Sequence, residues 1–314
     1  MIDRRSVIQA GLVAATAPLL GFDTLPHDEE HQPMSDHHWP ISLAQWSLHR
    51  TLRAGELAAE DFPAFTREQF GISGVEYVNS FFKERSTDDT WLAALRKRCE
   101  DSEVTSLLIM VDGEGALGDS SEKGRSEAVA NHRRWLHAAE ALGCHGIRVN
   151  VPSEGTPEEQ LDRCALGLAD LLVHADAAKL NVMIENHGGL SSNGAWLASL
   201  IRKVDHPRLG TLPDFGNFIL DWDTREMYDR YLGLDELLPF AKALSAKSHD
   251  FDEQGNEVHT DYERVFSLVR KHKYQGWVGV EYEGDSISEG DGIKKTRDLL
   301  IRQGCVLCSE GKSS

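Results

Sequence analysis

The chain has 314 residues, 40% of them hydrophobic, which suffices to bury the core of one large domain or of two smaller ones. Its 33 Lys and Arg against 51 Asp and Glu give a formal net charge of -18, which repels polyanions and argues against nucleic acid and anionic membrane surfaces as partners. A neutral or metal-chelated small molecule suits it better, and homo-oligomerisation is left open.

Residues 1–22 differ from the rest. Arg4-Arg5 precede an uncharged stretch from Ser6 to Phe22, which resembles a twin-arginine export signal. The apolar run is shorter than the ~20 residues a bilayer helix needs, so no stable membrane span is expected. Ala15-Thr16-Ala17 has the form of a cleavage site, although Pro18 counts against cutting there. Export to a periplasm is the expectation, and a cytoplasmic location follows if the signal is not functional. Residues 23–40 are rich in His, Asp, Glu and Pro without an apolar period and read as a linker, with His27, His31, His37 and His38 in a solvated tail rather than a metal site.

From residue 41 to 304, short β-branched runs alternate about eight times with segments of helical period, the mark of a parallel α/β architecture. The expected strands are 41–47, 74–79, 105–111, 146–151, 181–187, 209–214, 243–249 and 277–283. Helix starts are legible between them. Residues 86–89 open one helix, another runs from about Glu127 to Leu142 with Gly143 after it, and Thr156-Pro157-Glu158-Glu159 combines an N-cap, a proline at N1 and a capping-box glutamate. No glycine-rich phosphate loop follows the first strand, so a single-domain (β/α)8 TIM barrel is preferred to a nucleotide-binding sheet. Residues 305–314 form a tail in which Cys305 and Cys308 are either a terminal disulfide or two free thiols. With Cys99, Cys144 and Cys164 they make no disulfide framework.

Four successive strands end on a metal-competent side chain: Glu185, Asp214, His249 and Glu281. Taken singly, such a residue is more often a helix cap or a packed histidine. Together, ionised groups at the carboxyl ends of four adjacent apolar strands are costly to bury unless a cation neutralises them. Three carboxylates and one imidazole suit Mn2+ or Mg2+, with Co2+ or Zn2+ as further candidates.

Glu185-Asn186-His187-Gly188-Gly189, Leu212-Pro213-Asp214-Phe215-Gly216-Asn217, Ser248-His249-Asp250-Phe251 and Gly279-Val280-Glu281-Tyr282-Glu283-Gly284 resemble the sugar phosphate isomerase/epimerase group of xylose isomerase-like barrels. The likeness spans roughly residues 41 to 304. In that group a Glu, Asp, His, Glu set holds one divalent metal, which by motif implies Glu185, Asp214, His249 and Glu281 here. It also implies proton transfer next to a sugar carbonyl, through a metal-stabilised enediolate, with Glu185 and Glu281 as the acid and base. Many members carry a histidine three residues after the metal-binding aspartate. This chain has Asn217 there, an amide that cannot shuttle protons, and His187 is the nearest substitute.

Strand parity adds further inward residues near the metal. Lys247 is a candidate proton donor or oxyanion partner, with a plain ion pair to Glu283 as the other reading, while Glu76, Arg148, Asn150, Asn217 and Glu283 are candidate substrate-binding residues. Trp46 is a candidate wall for a sugar ring. The expected activity is isomerisation or epimerisation of an unphosphorylated sugar. Elimination by a lyase or dehydratase on a keto-sugar, keto-glycoside or keto-polyol is the alternative, and a non-catalytic sugar-binding protein a weaker one. Apurinic endonucleases share the barrel, but the acidic chain and Asn217 speak against that chemistry.

Overall fold

A computed structural model describes residues 38–307. The twin-arginine-like segment, nearly all of the linker and Cys308 lie outside the described residues. Eight parallel strands form the wall: β1 (Trp39–Ala44), β2 (Gly74–Val78), β3 (Thr105–Val111), β4 (Gly146–Val149), β5 (Asn181–Glu185), β6 (Leu209–Leu212), β7 (Leu244–Ser248) and β8 (Val278–Tyr282). They are hydrogen-bonded in the order β6-β5-β4-β3-β2-β1-β8-β7. Residues at the ends of β6 and β7 close the ring. Thr211 bridges Ala241 and Asp214 bridges Ser245, with Lys242 N donating to Thr211 O at 2.9 Å and Ser245 N to Pro213 O at 3.0 Å.

Eight principal helices follow the strands: α1 (Phe62–Phe70), α2 (Asp89–Asp101), α3 (Glu122–Leu142), α4 (Pro157–Ala177), α5 (Gly194–Val204), α6 (Arg230–Leu237), α7 (Tyr262–Lys271) and α8 (Glu289–Arg302). The capping box at Thr156 forms as expected, with Pro157 in the first turn of α4. Gly143 ends α3 in the left-handed conformation, at φ 75°. That helix starts at Glu122, five residues earlier than its apolar period suggests. Ser121 caps it by accepting from Gly124 N at 3.0 Å, a local bond that offsets the helix-weakening glycine in the polar first turn.

Alternation along the strands sorts the core into two layers. Outward residues such as Leu43, Tyr77, Ile109, Val149, Ile184, Ala246 and Val280 join the large cluster under the helices. Inward residues Ala44, Val78, Leu108, Met110, Met183, Leu212 and Ala243 form a separate small cluster inside the ring. Seven further inward residues are polar and buried: Ser42, Glu76, Arg148, Glu185, Ser245, Lys247 and Glu281. The barrel edges extend slightly beyond 41–304, because Trp39 and Pro40 pair with a short terminal strand at Cys305–Val306. Cys305 is thus a buried free thiol in the sheet rather than a tail residue, and Cys99, Cys144 and Cys164 are also buried and free. No described helix is long and apolar enough to cross a membrane.

Candidate active site

The end of β6 shows how local sequence aims a functional group. Pro213 has no N–H to continue a ladder, so the strand stops at Leu212 and Asp214 enters a turn. Its Oδ1 accepts from the backbone N–H groups of Gly216 at 2.7 Å and Asn217 at 2.8 Å. Asn186, just past β5, fixes this turn against its neighbour. Its Nδ2 donates to Asp214 O at 2.9 Å and Asn217 O at 3.0 Å, while its Oδ1 accepts from Asp214 N at 2.8 Å.

Three of the four expected metal ligands converge. Glu185, Asp214 and Glu281 are at most 5% exposed, and one oxygen of each lies within 4.8 Å of the others. His249 is not part of this group. Strand register gives the reason: the residue of β7 level with Glu281 is Lys247, and His249 is one inward step higher, past the end of the strand. The His249 side chain is 41% exposed, and its Nε2 faces Glu283 Oε2 at 3.8 Å.

Lys247 stands among the carboxylates instead. Its ammonium donates to Glu281 Oε1 at 2.8 Å and lies 3.5 Å from Asp214 Oδ2 and 3.3 Å from Glu283 Oε1. Arg148 is the second buried cation, with Nε 2.8 Å from Glu185 Oε2 and Nη1 donating to Asp112 Oδ1 at 2.6 Å. Asn217 donates to Glu185 Oε1 at 3.1 Å and so orients that carboxylate.

Two features of this cluster fit a further cation. Five carboxylates (Asp112, Glu185, Asp214, Glu281 and Glu283) surround only two buried cations. In addition, Ser245 Oγ lies 2.9 Å from Asp214 Oδ2 and 2.5 Å from Glu281 Oε2, and one hydroxyl proton can satisfy only one of them. Burial, with Glu281 and Asp214 adding to it, pushes the Glu185 carboxyl well above the usual range against the pull of Arg148. Burial likewise raises Asp214, to about 6, despite Lys247. Glu281 is held low, because Lys247 and Ser245 outweigh its burial. Oxygen donors with excess negative charge are what a hard divalent ion requires.

Above the carboxylates the barrel opens into a cavity of about 360 Å³ lined by Trp46, Arg53, Val78, Ser80, Asp112, Arg148, His187, Glu281 and Glu283. Trp46 donates its indole N–H to Glu283 and stacks on His49 with ring centroids 4.9 Å apart. A small cavity of about 140 Å³ beside it is lined by Lys247, Asn217, His187 and Glu283, among others. His187 is exposed at the mouth, and desolvation together with Arg148 and Lys247 lowers its imidazole below the usual histidine range. Asn150 donates to Asp112 Oδ1 at 2.7 Å.

Glu76, expected among the sugar-binding residues, lines none of these cavities. It is 1% exposed inside the ring, where Ser42 Oγ donates to its Oε1 at 2.6 Å and Gly279 leaves it room, since a Cβ there would meet that oxygen at 2.5 Å. Asp112 and Ser245 join the site without being among the residues expected from the sequence. Asp112-Gly113 follows an apolar strand just as Asp214 does, and that pattern is visible in the sequence. Although burial would raise it, Arg148 holds the Asp112 carboxyl low.

Residues 67–303 match the family model described as xylose isomerase-like TIM barrel. The chain belongs to this family. Among solved structures, this xylose isomerase-like barrel resembles a xylose isomerase-like TIM-barrel protein from Mycobacterium smegmatis in complex with magnesium (18% identity, 86% of this chain and 98% of that one, TM-score 0.65). It also resembles the IOLI protein with a bound zinc atom (12%, 84% and 98%, 0.66) and 3-keto-D-glucoside 4-epimerase from E. coli (14%, 85% and 99%, 0.60). At these identities the likeness shows the fold. No curated protein matches the chain by sequence.

Proposed function

We propose that this barrel is a divalent-metal-dependent isomerase or epimerase of a sugar, moving a proton at the carbon next to a carbonyl. The observation that carries the reading is the convergence of Glu185, Asp214 and Glu281, buried and within 4.8 Å, beneath a cavity at the carboxyl end of the strands. The epimerase among its structural neighbours, and those with zinc and magnesium, support it. A cation held by the three carboxylates, Mn2+ or Mg2+ by the hardness of its donors, would supply a Lewis acid for the sugar's carbonyl and hydroxyl oxygens.

The chain's own groups do the rest. Glu281 lines the larger cavity and takes the proton, and Glu185, the other glutamate of the cluster, returns it. Lys247 and Arg148 are fixed positive charges beside the oxygen that becomes negative, oriented before reaction by their ion pairs. Trp46 offers an apolar face to the ring, Asp112 and Glu283 offer hydrogen bonds to hydroxyls, and Asn150 holds Asp112 in place. Export through the twin-arginine-type signal at Arg4-Arg5 belongs to the same reading and places the activity in the periplasm.

The deciding experiment incubates metal-loaded protein in D2O with a panel of ketoses, keto-glycosides and inososes. Solvent deuterium should enter at carbon without loss of water or aglycone. Loss of either would replace the reading by elimination, and no exchange with any sugar would overturn it.

A further inference from the structure

Beside the catalytic cavity, on the far side of His187, lies a second opening of about 400 Å³ whose lining includes Asn150, Ser153, Gln160, Ser191 and Trp222. His187 borders both spaces, and Trp222 and Gly188 also line the small cavity that contains Lys247. The three spaces therefore form a track leading away from the carboxylates, and only its first part is needed for a single sugar ring at Glu281.

Trp222 is the conspicuous group on this track. It is 62% exposed and sits at the turn of a hairpin formed by Ile219–Asp221 and Glu226–Met227. The turn is tied down by Asp221, whose Oδ1 accepts from Asp223 N and Thr224 N, both at 2.8 Å. The indole edge rests on Gly188, where φ is +92° and an added Cβ would lie 3.1 Å from Trp222 Nε1. A large aromatic ring held in water by a braced turn, beside a backbone kept bare by glycine, gains nothing for the core.

The chemistry around it selects the occupant. Amides and hydroxyls from Asn150, Gln160, Ser153 and Ser191 surround the opening, and Asn150 Oδ1 is buried with no hydrogen-bond partner. No Lys or Arg is among its lining residues, and the nearest cation on Trp222, Arg225, lies over the indole at 5.9 Å rather than in the wall, so the lining itself favours a neutral occupant. An aromatic face flanked by neutral donors and acceptors suits a pyranose ring, which is apolar on its C–H face and polar at its rim.

We infer that the Trp222 opening is a second sugar subsite, so that the substrate is a glycoside carrying a further sugar ring rather than a free monosaccharide. This rests on the sugar reading above and narrows its substrate class.

The test titrates metal-loaded, full-length protein with matched pairs, glucose against cellobiose and maltose, and fructose against sucrose, followed by tryptophan fluorescence and by saturation-transfer NMR. At least one disaccharide should bind tenfold or more tightly than its monosaccharide. Trp222→Ala should reduce that gain to within twofold without changing monosaccharide affinity or the melting temperature, and Trp222→Phe should keep most of it. A gain that survives Trp222→Ala, or disaccharides that bind no better than their monosaccharides, would overturn the subsite alone. Binding of no sugar at all would overturn the sugar reading with it.

Discussion

Lys247 Nζ lies 2.8 Å from Glu281 Oε1, and the register of β7 and β8 pairs these two residues directly. The buried ammonium thus occupies the level of the barrel at which the metal-competent carboxylates converge. Lys247→Met should leave Glu281 without its ion pair and remove the positive charge that the proposed mechanism places beside the reacting oxygen. Such losses cost about 3–5 kcal/mol for a broken buried pair, and about 100-fold or more in kcat for a lost oxyanion partner. Because a cation could then compensate, Mn2+ should raise the melting temperature of Lys247→Met more than that of the native chain. Equal metal-induced shifts in a thermal melt would show that the ammonium and the metal do not share these carboxylates.

The same register makes a prediction about the fourth ligand. Glu185→Gln, Asp214→Asn and Glu281→Gln should each weaken metal binding tenfold or more, read by chelator competition and by metal content after gel filtration. His249→Ala should change the affinity less than threefold, because its imidazole stands one step above the cluster. A loss for His249→Ala equal to that of the carboxylates would restore it to the coordination sphere.

The wall of the barrel and the three carboxylates were legible because strand length, parity and spacing are local properties. All eight strands overlap the spans that alternation gives, although seven end one to three residues early and Gln45–Leu48 is a 3-10 turn after the first, and the carboxylates sit at or just past the ends of β5, β6 and β8. Height within the barrel is not local. Parity puts Ser245, Lys247 and His249 on one face but does not say which is level with Glu281, since that depends on the stagger between neighbouring strands. Glu76 shows the limit of parity too: it faces inward as expected, but it is buried against Ser42 and Gly279 and lines none of the cavities. Ser245 carries no signal at all in the sequence, because a small hydroxyl in a strand is usually packing. The first turn of α3 was hidden by Lys123-Gly124, which has neither apolar period nor helix propensity and is held by the Ser121 cap.

Export can be read independently of catalysis. Replacing Arg4 and Arg5 together by Lys should retain the protein in the cytoplasm, whereas the native chain should reach the periplasm, as measured by fractionation with a cytoplasmic marker. Retention of both, or export of both, would mean that these arginines do not direct it.

Glu76 links the architecture of the ring to pH. Burial, reinforced by Glu281, raises its carboxyl to about 7 against the lowering hydrogen bond from Ser42, while in the unfolded chain it returns to the ordinary value of 4.5. A group with a raised native value contributes stability that is fully present below pH 4.5 and lost as pH rises through about 7, because the native state must release a proton it binds more tightly. The shift corresponds to roughly 3 kcal/mol as an order of magnitude. Glu76→Gln keeps the shape and the contact to Ser42 but has no proton to release. Urea unfolding at pH 5 and pH 8 should therefore show the native chain losing stability relative to Glu76→Gln by up to that amount, with the variant the more stable of the two at pH 8. Parallel pH profiles would mean that Glu76 is already ionised and paired in the fold, and that the carboxylate above Ser42 is neutralised by Arg148 despite its burial.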